Sequence, residues 1–482
     1  EDQQLFDRLA ETRSQLAGLI LKAPGPDNPE AYRTQLAALE ETAERLESEL
    51  SSRSREFGQQ LQPATIAAVQ AALPAGGALI EFAVYTPEDL RTGKRQSPRY
   101  LVYLLTAQGS PRWADLGEAA PIDLAIGLWR KALRDPQRAD VKRLARAVDD
   151  RVMRPIRSLL EKNPGGTLQL LIAPDGLLNL VPFAALVDEQ NRYLVERYSI
   201  SYLTSGRDLL RASSSQPNRN EALIVANPAF GPPAIVAAKP ADREAGTQGQ
   251  VRIDSTQLYF RPLPYTDAEA EAIKTLVPGA RMLRLRAATE TAVKQARAPR
   301  ILHIATHGFF LNSPEAPPER SNEDPRRWPD LRLGKWALYV KDPLLRSGLA
   351  LAGANRGVSA DDDGVLTALE VAGLDLWGTE LVVLSACDTG VGEVKNGDGV
   401  YGLRRALVLA GSETQIMSLW PVSDQATRDL MVSYYRGLTQ GQGRGEALRL
   451  VQLEMLKDLK RQHPFYWASF IQSGEWTKLE AP

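Results

Sequence analysis

The chain has 482 residues, 43% hydrophobic and 24% charged, with three His and a single Cys, a size that accommodates two or three domains, each with its own core. Its 58 basic and 59 acidic residues leave a net charge of −1, so no global field favours nucleic acid or an anionic membrane surface. One Cys excludes an internal disulfide framework and a four-cysteine zinc site, and it fits a reducing compartment, here expected to be the cytoplasm.

The chain opens Glu-Asp-Gln-Gln without Met, so residues are expected to precede Glu1. Leu5, Leu9, Leu16 and Ile20 fall at helical spacing. After the breaker Ala23-Pro24-Gly25-Pro26 the pattern resumes at Tyr32, Leu36, Leu39, Leu46 and Leu50. Residues 1–62 are therefore expected to form a helical hairpin or coiled coil, serving either as packing or as a partner-binding helix. Residues 78–85 and 100–105 have strand composition between Pro, Gly and Asp punctuation. Helical patterns follow at 121–134 and 139–162, then the largely apolar run Leu168 to Ile172, ended by Pro174-Asp175-Gly176, and a strand at 198–203. Short apolar strands of this kind suit a buried parallel sheet. Residues 63–215 are thus expected to be one α/β unit, and they contain neither His nor Cys.

Residues 212–220 have linker composition, and beyond them the alternation restarts. Strands are predicted at 222–226, 300–306, 379–385 and 414–419, and helices at 267–276, 399–410, 424–438 and 444–461. Gly411 is expected to close the helix at 399–410 and Ser423 to cap the one at 424–438. Residues 216–482 form the second α/β unit, interrupted by a Pro-rich stretch at 311–330 and a Gly-rich loop at 389–399. No apolar run approaches the roughly 20 residues needed to span a bilayer, so no membrane association is expected.

Two segments carry the chemistry. Arg300-Ile-Leu-His303-Ile-Ala-Thr-His307-Gly308 and Leu381-Val-Val-Leu-Ser385-Ala-Cys387-Asp388-Thr-Gly390 each run from an apolar strand into polar residues and a glycine. Open α/β sheets place their sites at that carboxyl end of the strands. A thiol nucleophile needs an imidazole to take its proton and N–H donors aimed at the developing oxyanion. His307 and Cys387 supply the first pair, and the backbone N–H groups of Gly308 and Cys387 are candidates for the second. His303, two alternations earlier and about 13 Å away by strand rise, suits packing or support of His307. Zinc is disfavoured, because His-x-x-x-His shares a face suited to metal only on a helix, and Ser385 has no separate acid or base partner. Neither a metal nor an organic cofactor is expected.

Caspases carry a Gln-Ala-Cys-x-Gly signature with a His about 50 residues upstream. Here Ser-Ala-Cys387-Asp-Thr-Gly follows His307 by 80 residues, 387 minus 307, and the 311–330 insertion accounts for much of the difference. His303-Ile-Ala-Thr-His307-Gly308, Leu384-Ser-Ala-Cys387-Asp-Thr-Gly390, Gly397-Asp398-Gly399, Ala410-Gly411 with Ser418-Leu-Trp420-Pro-Val-Ser-Asp424, and Trp467-Ala-Ser-Phe470 with Gly474 occur in order. Together they resemble the CHAT family of caspase-like cysteine peptidases, relatives of caspases and separase. The resemblance spans about residues 160–476. It implies a three-layer α/β/α caspase-like fold, with an inactive unit at 63–215 before a catalytic unit at 216–482. It also implies that His307 is the general base and Cys387 the nucleophile of an endopeptidase. Such an enzyme would act by limited proteolysis of a protein substrate in bacterial signalling or defence, gated by a sensor or activating partner through the helical N-terminus or through tetratricopeptide repeats upstream. A catalytically silent scaffold for protein assembly is the alternative.

Substrate contacts are less legible. Trp420 is either the wall of an apolar subsite or a core residue. Asp388, Asp398 and Asp424 either order the catalytic loops, or bind a basic side chain on the substrate, or serve as turn and helix-start residues. The 311–330 stretch is a candidate processing site or autoinhibitory loop.

Overall fold

The computed structural model describes residues 2–21, 34–39, 41–46, 64–89, 91–160, 169–211, 220–232, 259–310, 343–356, 362–385, 393–395, 399–421 and 424–480. Apart from a two-residue ribbon of Glu88–Asp89 with Lys94–Arg95, its strands, in chain order, are β1 (Gly77–Tyr85), β2 (Arg99–Thr106), β3 (Arg112–Glu118), β4 (Gln169–Ala173), β5 (Ser199–Tyr202), β6 (Leu223–Pro228), β7 (Arg281–Leu285), β8 (Ile301–Ala305), β9 (Gly308–Phe310), β10 (Ser347–Ala350), β11 (Val365–Thr367), β12 (Leu381–Leu384), β13 (Glu393–Lys395), β14 (Gly399–Tyr401), β15 (Thr414–Ser418) and β16 (Phe470–Gly474). The helices needed below are α1 (Asp2–Leu21), α2 (Ile66–Ala71), α3 (Ala119–Leu133), α4 (Val141–Val152), α5 (Arg154–Leu160), α6 (Pro264–Leu276), α7 (Glu290–Lys294), α8 (Ala368–Val371), α9 (Leu403–Leu409), α10 (Asp424–Thr439) and α11 (Arg444–Lys457).

Eleven strands form one sheet in the order β3-β2-β1-β4-β5-β16-β15-β12-β8-β6-β7. All neighbours are parallel except β3 with β2, β2 with β1, and β16 with β15. Every residue of β8, β12 and β15 is buried, which requires cover on both faces of the sheet. This is the α/β class with a large, mostly parallel sheet that the alternation of strands and helices predicts. The sequence break at 212–220 does not interrupt it. Strands from before and after that break meet through β16, where Ser473 pairs with Tyr202.

Alternation along β1 shows how the layers divide. Ala78, Ile80 and Phe82 join the large core with Ile126 and Trp129 of α3. Leu79 faces the other way, into a smaller cluster with Val69 of α2, Leu105, Leu171 and Ala173. A period of two sends successive side chains to opposite faces.

Several elements differ from the sequence expectation. The helix predicted at 139–162 is divided into α4 and α5 at Met153. The segment 399–410 begins as strand β14 and becomes helical only after Gly402. Ala410 caps that helix, and Gly411 follows at φ +100°, the left-handed conformation a helix end favours in glycine. Within the Gly-rich loop, β13 and β14 pair as an antiparallel ribbon, Val394 opposite Val400. β3, β7, the small sheet β9-β10-β11 and β16 have no counterpart in the pattern reading. β16 is instructive, because its buried Gln472 and Ser473 spoil an apolar signature but are hydrogen-bonded, Gln472 Oε1 accepting from Ser201 Oγ at 2.8 Å.

At the N-terminus, Leu5 and Leu9 of α1 pack with Ala43 and Leu46 of the helical residues 41–46. Leu16 packs on Leu345 and on Leu369 of α8. The 311–330 stretch, Ser423 and the linker residues 212–219 lie outside the described residues. Among the described residues, no helix is long and apolar enough to cross a membrane.

Candidate active site

Two parallel neighbours position the site. β8 and β12 pair with Ile301 opposite Leu381, Leu302 opposite Val382, His303 opposite Val383 and Ile304 opposite Leu384, and Ser385 N–H donates to Ile304 O at 2.9 Å. Adjacent strands lie about 4.8 Å apart, so the two chains leave the sheet side by side at its carboxyl edge. His307 stands three residues beyond Ile304. Cys387 stands three residues beyond Leu384 and lies outside the described residues.

His303 is enclosed. It is 0% exposed, with Nδ1 3.1 Å from Tyr435 Oη on α10 and Nε2 3.1 Å from Glu269 Oε1 on α6. Both ring nitrogens are engaged, so His303 pins two helices onto the sheet as a packing residue. Leu302 and Ile304 occupy the opposite face and are buried as well.

His307 lies past the strand end. Its backbone is held by β10: Ala350 N–H donates to His307 O at 2.9 Å, and Thr306 Oγ1 donates to Ala350 O. Gly308 opens β9 opposite Leu349. The imidazole completes a triangle of rings, 5.4 Å from Phe230 and 5.7 Å from Phe260, which are themselves 5.9 Å apart between centroids. Phe309 packs against Phe260 in turn at 6.2 Å. His307 Nε2 lies 2.8 Å from the carbonyl oxygen of Arg261. A carbonyl only accepts, so Nε2 must carry the hydrogen, and a neutral imidazole of that tautomer accepts protons at Nδ1.

The segments around the ring are tied together. The amide of Asn355 donates to Gly231 O and to Phe260 O, each at 2.9 Å, and its Oδ1 accepts from Phe260 N–H at 2.8 Å. The Asn355 N–H donates to Phe230 O at 2.9 Å. No sequence pattern singled out Arg261, Phe230, Phe260 or Asn355. The orienting acceptor is a backbone atom, which no side-chain motif encodes, and the only trace of Asn355 is a polar residue in the run Ala352-Gly-Ala-Asn355.

Trp420 is 2% exposed and belongs to the main core, its indole N–H donating to Phe465 O at 3.2 Å. Asp424 is the first residue of α10. Asp388 and Asp398 lie outside the described residues. Ser385 is 5% exposed. Among the described residues no three His, Cys, Asp or Glu side chains converge as a metal site would require.

Comparison with known proteins matches residues 142–475 to the CHAT domain, and the chain belongs to the CHAT domain family. It is 26% identical over 360 residues to human Tetratricopeptide repeat protein 28, and 25% identical over 354 residues to the mouse protein of that name. Each alignment takes in 70% of this chain but only 13% of the relative. Among solved structures it is similar to separase in the Saccharomyces cerevisiae separase–securin complex, with TM-score 0.47 and 9% identity over 95% of this chain and 34% of that one. It is also similar to the Arg-specific cysteine proteinase gingipain R, with TM-score 0.40 and 10% identity over 74% of each chain.

Proposed function

We propose that the chain is a cysteine endopeptidase in which His307 and Cys387 act as a dyad. The observation that carries the reading is the bond from His307 Nε2 to Arg261 O, made at the sheet edge where β12 leads toward the single thiol. That tautomer leaves Nδ1 as the base. The thiol proton passes to Nδ1, and the thiolate attacks the substrate carbonyl carbon, forming a C–S bond. The backbone N–H groups of Gly308 and Cys387 hold the oxyanion. Collapse breaks the C–N bond, and the imidazolium returns its proton to the leaving amine. Water then hydrolyses the thioester, activated by the same imidazole.

In this reading residues 216–482 are the catalytic unit, residues 63–215 its inactive counterpart, and residues 1–62 a hairpin through which an activating partner acts. Its substrate is a protein cleaved at chosen sites. Asp388, Asp398 and Asp424 remain the proposed substrate-side residues, whereas Trp420, enclosed in the core, takes the packing role of its two expected readings.

The test is labelling of wild type, Cys387→Ala and His307→Ala with peptidyl electrophiles varied at the residue before the scissile bond, read by intact mass. Label on wild type and on neither variant establishes the dyad and reports the preferred side chain. An unlabelled wild type, also in cell lysate, rejects the reading in favour of a silent scaffold.

A further inference from the structure

We infer that Asn355 is a positioning residue for the His307 imidazole, a role that rests on the peptidase reading for its consequence but not for its geometry. Asn355 acts on His307 through the segments around it. It holds what surrounds it. The amide bonds both the N–H and the C=O of Phe260, which fixes the backbone immediately before Arg261, whose carbonyl takes the His307 Nε2–H. The second hydrogen of the same Nδ2 goes to Gly231 O, and the backbone N–H goes to Phe230 O. One side chain therefore ties the chain after β6 to the chain before α6, and the two aromatic rings flanking the imidazole stand on these two segments.

The chemistry of the residue is specific to this task. Only a primary amide offers one acceptor and two donors on a planar group short enough for these three bonds, and here it is 8% exposed. Aspartate has the same shape but no donors, so its oxygens would face the carbonyls of Gly231 and Phe260. Alanine would strand the buried carbonyl and N–H of Phe260 and the half-buried carbonyl of Gly231, each deprived of its partner. Alanine removes the whole anchor of the segment carrying Arg261 O and aspartate the two donor bonds of it, and in either case Arg261 O is displaced as the acceptor that selects the His307 tautomer. The loop bearing Asn355 is itself braced, with Gly353 N–H donating to Ala229 O at 3.0 Å and Ala352 N–H to Ala288 O at 2.9 Å.

The experiment uses the 482-residue chain labelled with ¹⁵N-histidine, comparing wild type, Asn355→Ala and Asn355→Asp. Ring ¹⁵N shifts distinguish the two neutral tautomers, and only three histidines have to be assigned. The expected result is a His307 protonated at Nε2 in wild type and a mixed tautomer in both variants, with the signals of His303 and His463 unmoved. A general loss of structure would move all three. Should Asn355→Ala fail to fold, Asn355→Asp, which keeps the volume and the acceptor for Phe260 N–H, carries the measurement. Where wild type labels with a peptidyl electrophile, the limiting labelling rate is expected to fall about 10- to 100-fold with the half-saturating concentration nearly unchanged, as for loss of alignment rather than of binding. A His307 tautomer unchanged in Asn355→Asp overturns the inference whether or not the protein is a peptidase. An unlabelled wild type with a shifted tautomer overturns only the peptidase reading.

Discussion

Ser14, on the N-terminal helix α1, donates its hydroxyl to Glu370 Oε1 at 3.0 Å across 356 residues of sequence. The same Glu370 oxygen is 2.8 Å from Lys294 Nζ, which also donates to Ser14 Oγ at 2.8 Å and pairs with Glu290. Glu290 in turn accepts from Gly364 N–H at 3.3 Å through Oε2. One lysine thus joins α1, α7 and α8 in a largely buried cluster next to the small sheet that starts at Gly308. This polar cluster, together with Leu16, forms the contact by which the N-terminal helix meets the unit that holds the proposed site.

Glu290 supplies a pH prediction. Burial, reinforced by the nearby Glu370 carboxylate, pushes its pKa up to about 8 despite Lys294. A carboxyl raised in the folded state contributes stability that is complete below the ordinary Glu value and is lost as pH rises through about 8. The Lys294 pKa is raised from an already high value, so its charge is constant over this window. The unfolding free energy of the wild type, read from urea titrations, is expected to fall between pH 5 and pH 8.5 by an amount on the order of 4 kcal/mol. Glu290→Gln should flatten that slope, and an identical slope in the variant would refute the assignment.

Asp149 and Arg157 make a second prediction. Arg157 Nη2 lies 2.5 and 2.7 Å from the two carboxylate oxygens of a fully buried Asp149. Burial raises the Asp149 pKa to about 6 in spite of the pair. Removing the guanidinium alone leaves a buried carboxylate without compensation, a loss of about 3–5 kcal/mol. Thermal unfolding of Arg157→Met should show that loss at pH 8 and much less of it at pH 5, where Asp149 is protonated. Equal damage at both values would show that the charge is not what matters.

Gly364 tests the coupling between the small sheet and the loop carrying Asn355. Its φ is +81°, and a Cβ there would collide with the backbone of Ala352 and Ala354. Gly364→Ala is expected to destabilise by roughly 1–3 kcal/mol through strain at a left-handed position. Because the collision displaces residues 352–354, electrophile labelling should slow as well. A variant of normal melting temperature and normal labelling rate would mean that the loop moves aside without consequence.

The single thiol simplifies the kinetic prediction. With one Cys in the chain, any mass added by a thiol-directed peptidyl electrophile belongs to Cys387. His307→Ala should slow that reaction by about 10²- to 10⁴-fold, the range that positioned acid–base groups contribute. A rate unaffected by the variant would leave Cys387 as an ordinary thiol.

Much of this architecture is legible in the sequence because burial writes itself into composition. The runs at 300–306, 379–385 and 414–419 are apolar throughout because β8, β12 and β15 are covered on both faces, and the helix at 424–438 announces itself by its period. The two segments ending in His307 and Cys387 were visible for the same reason, since a polar residue and a glycine directly after a buried strand mark the carboxyl edge of a sheet. β16 was not visible, because Gln472 and Ser473 are buried yet satisfied by partners far along the chain. Nor was the small sheet, whose strands of three and four residues are too short to show a period.

The α/β class, the family and the position of His307 just past a buried strand are written in the residue pattern. Three-dimensional packing is needed to see that strands from both halves of the chain form one sheet, that His303 is locked by Tyr435 and Glu269, and that a backbone carbonyl at Arg261 selects the tautomer of His307. The reason is physical. Periodicity and composition record whether a side chain is buried, whereas hydrogen bonds between distant backbone atoms depend on where the chain is brought in space, and a carbonyl is the same in every residue.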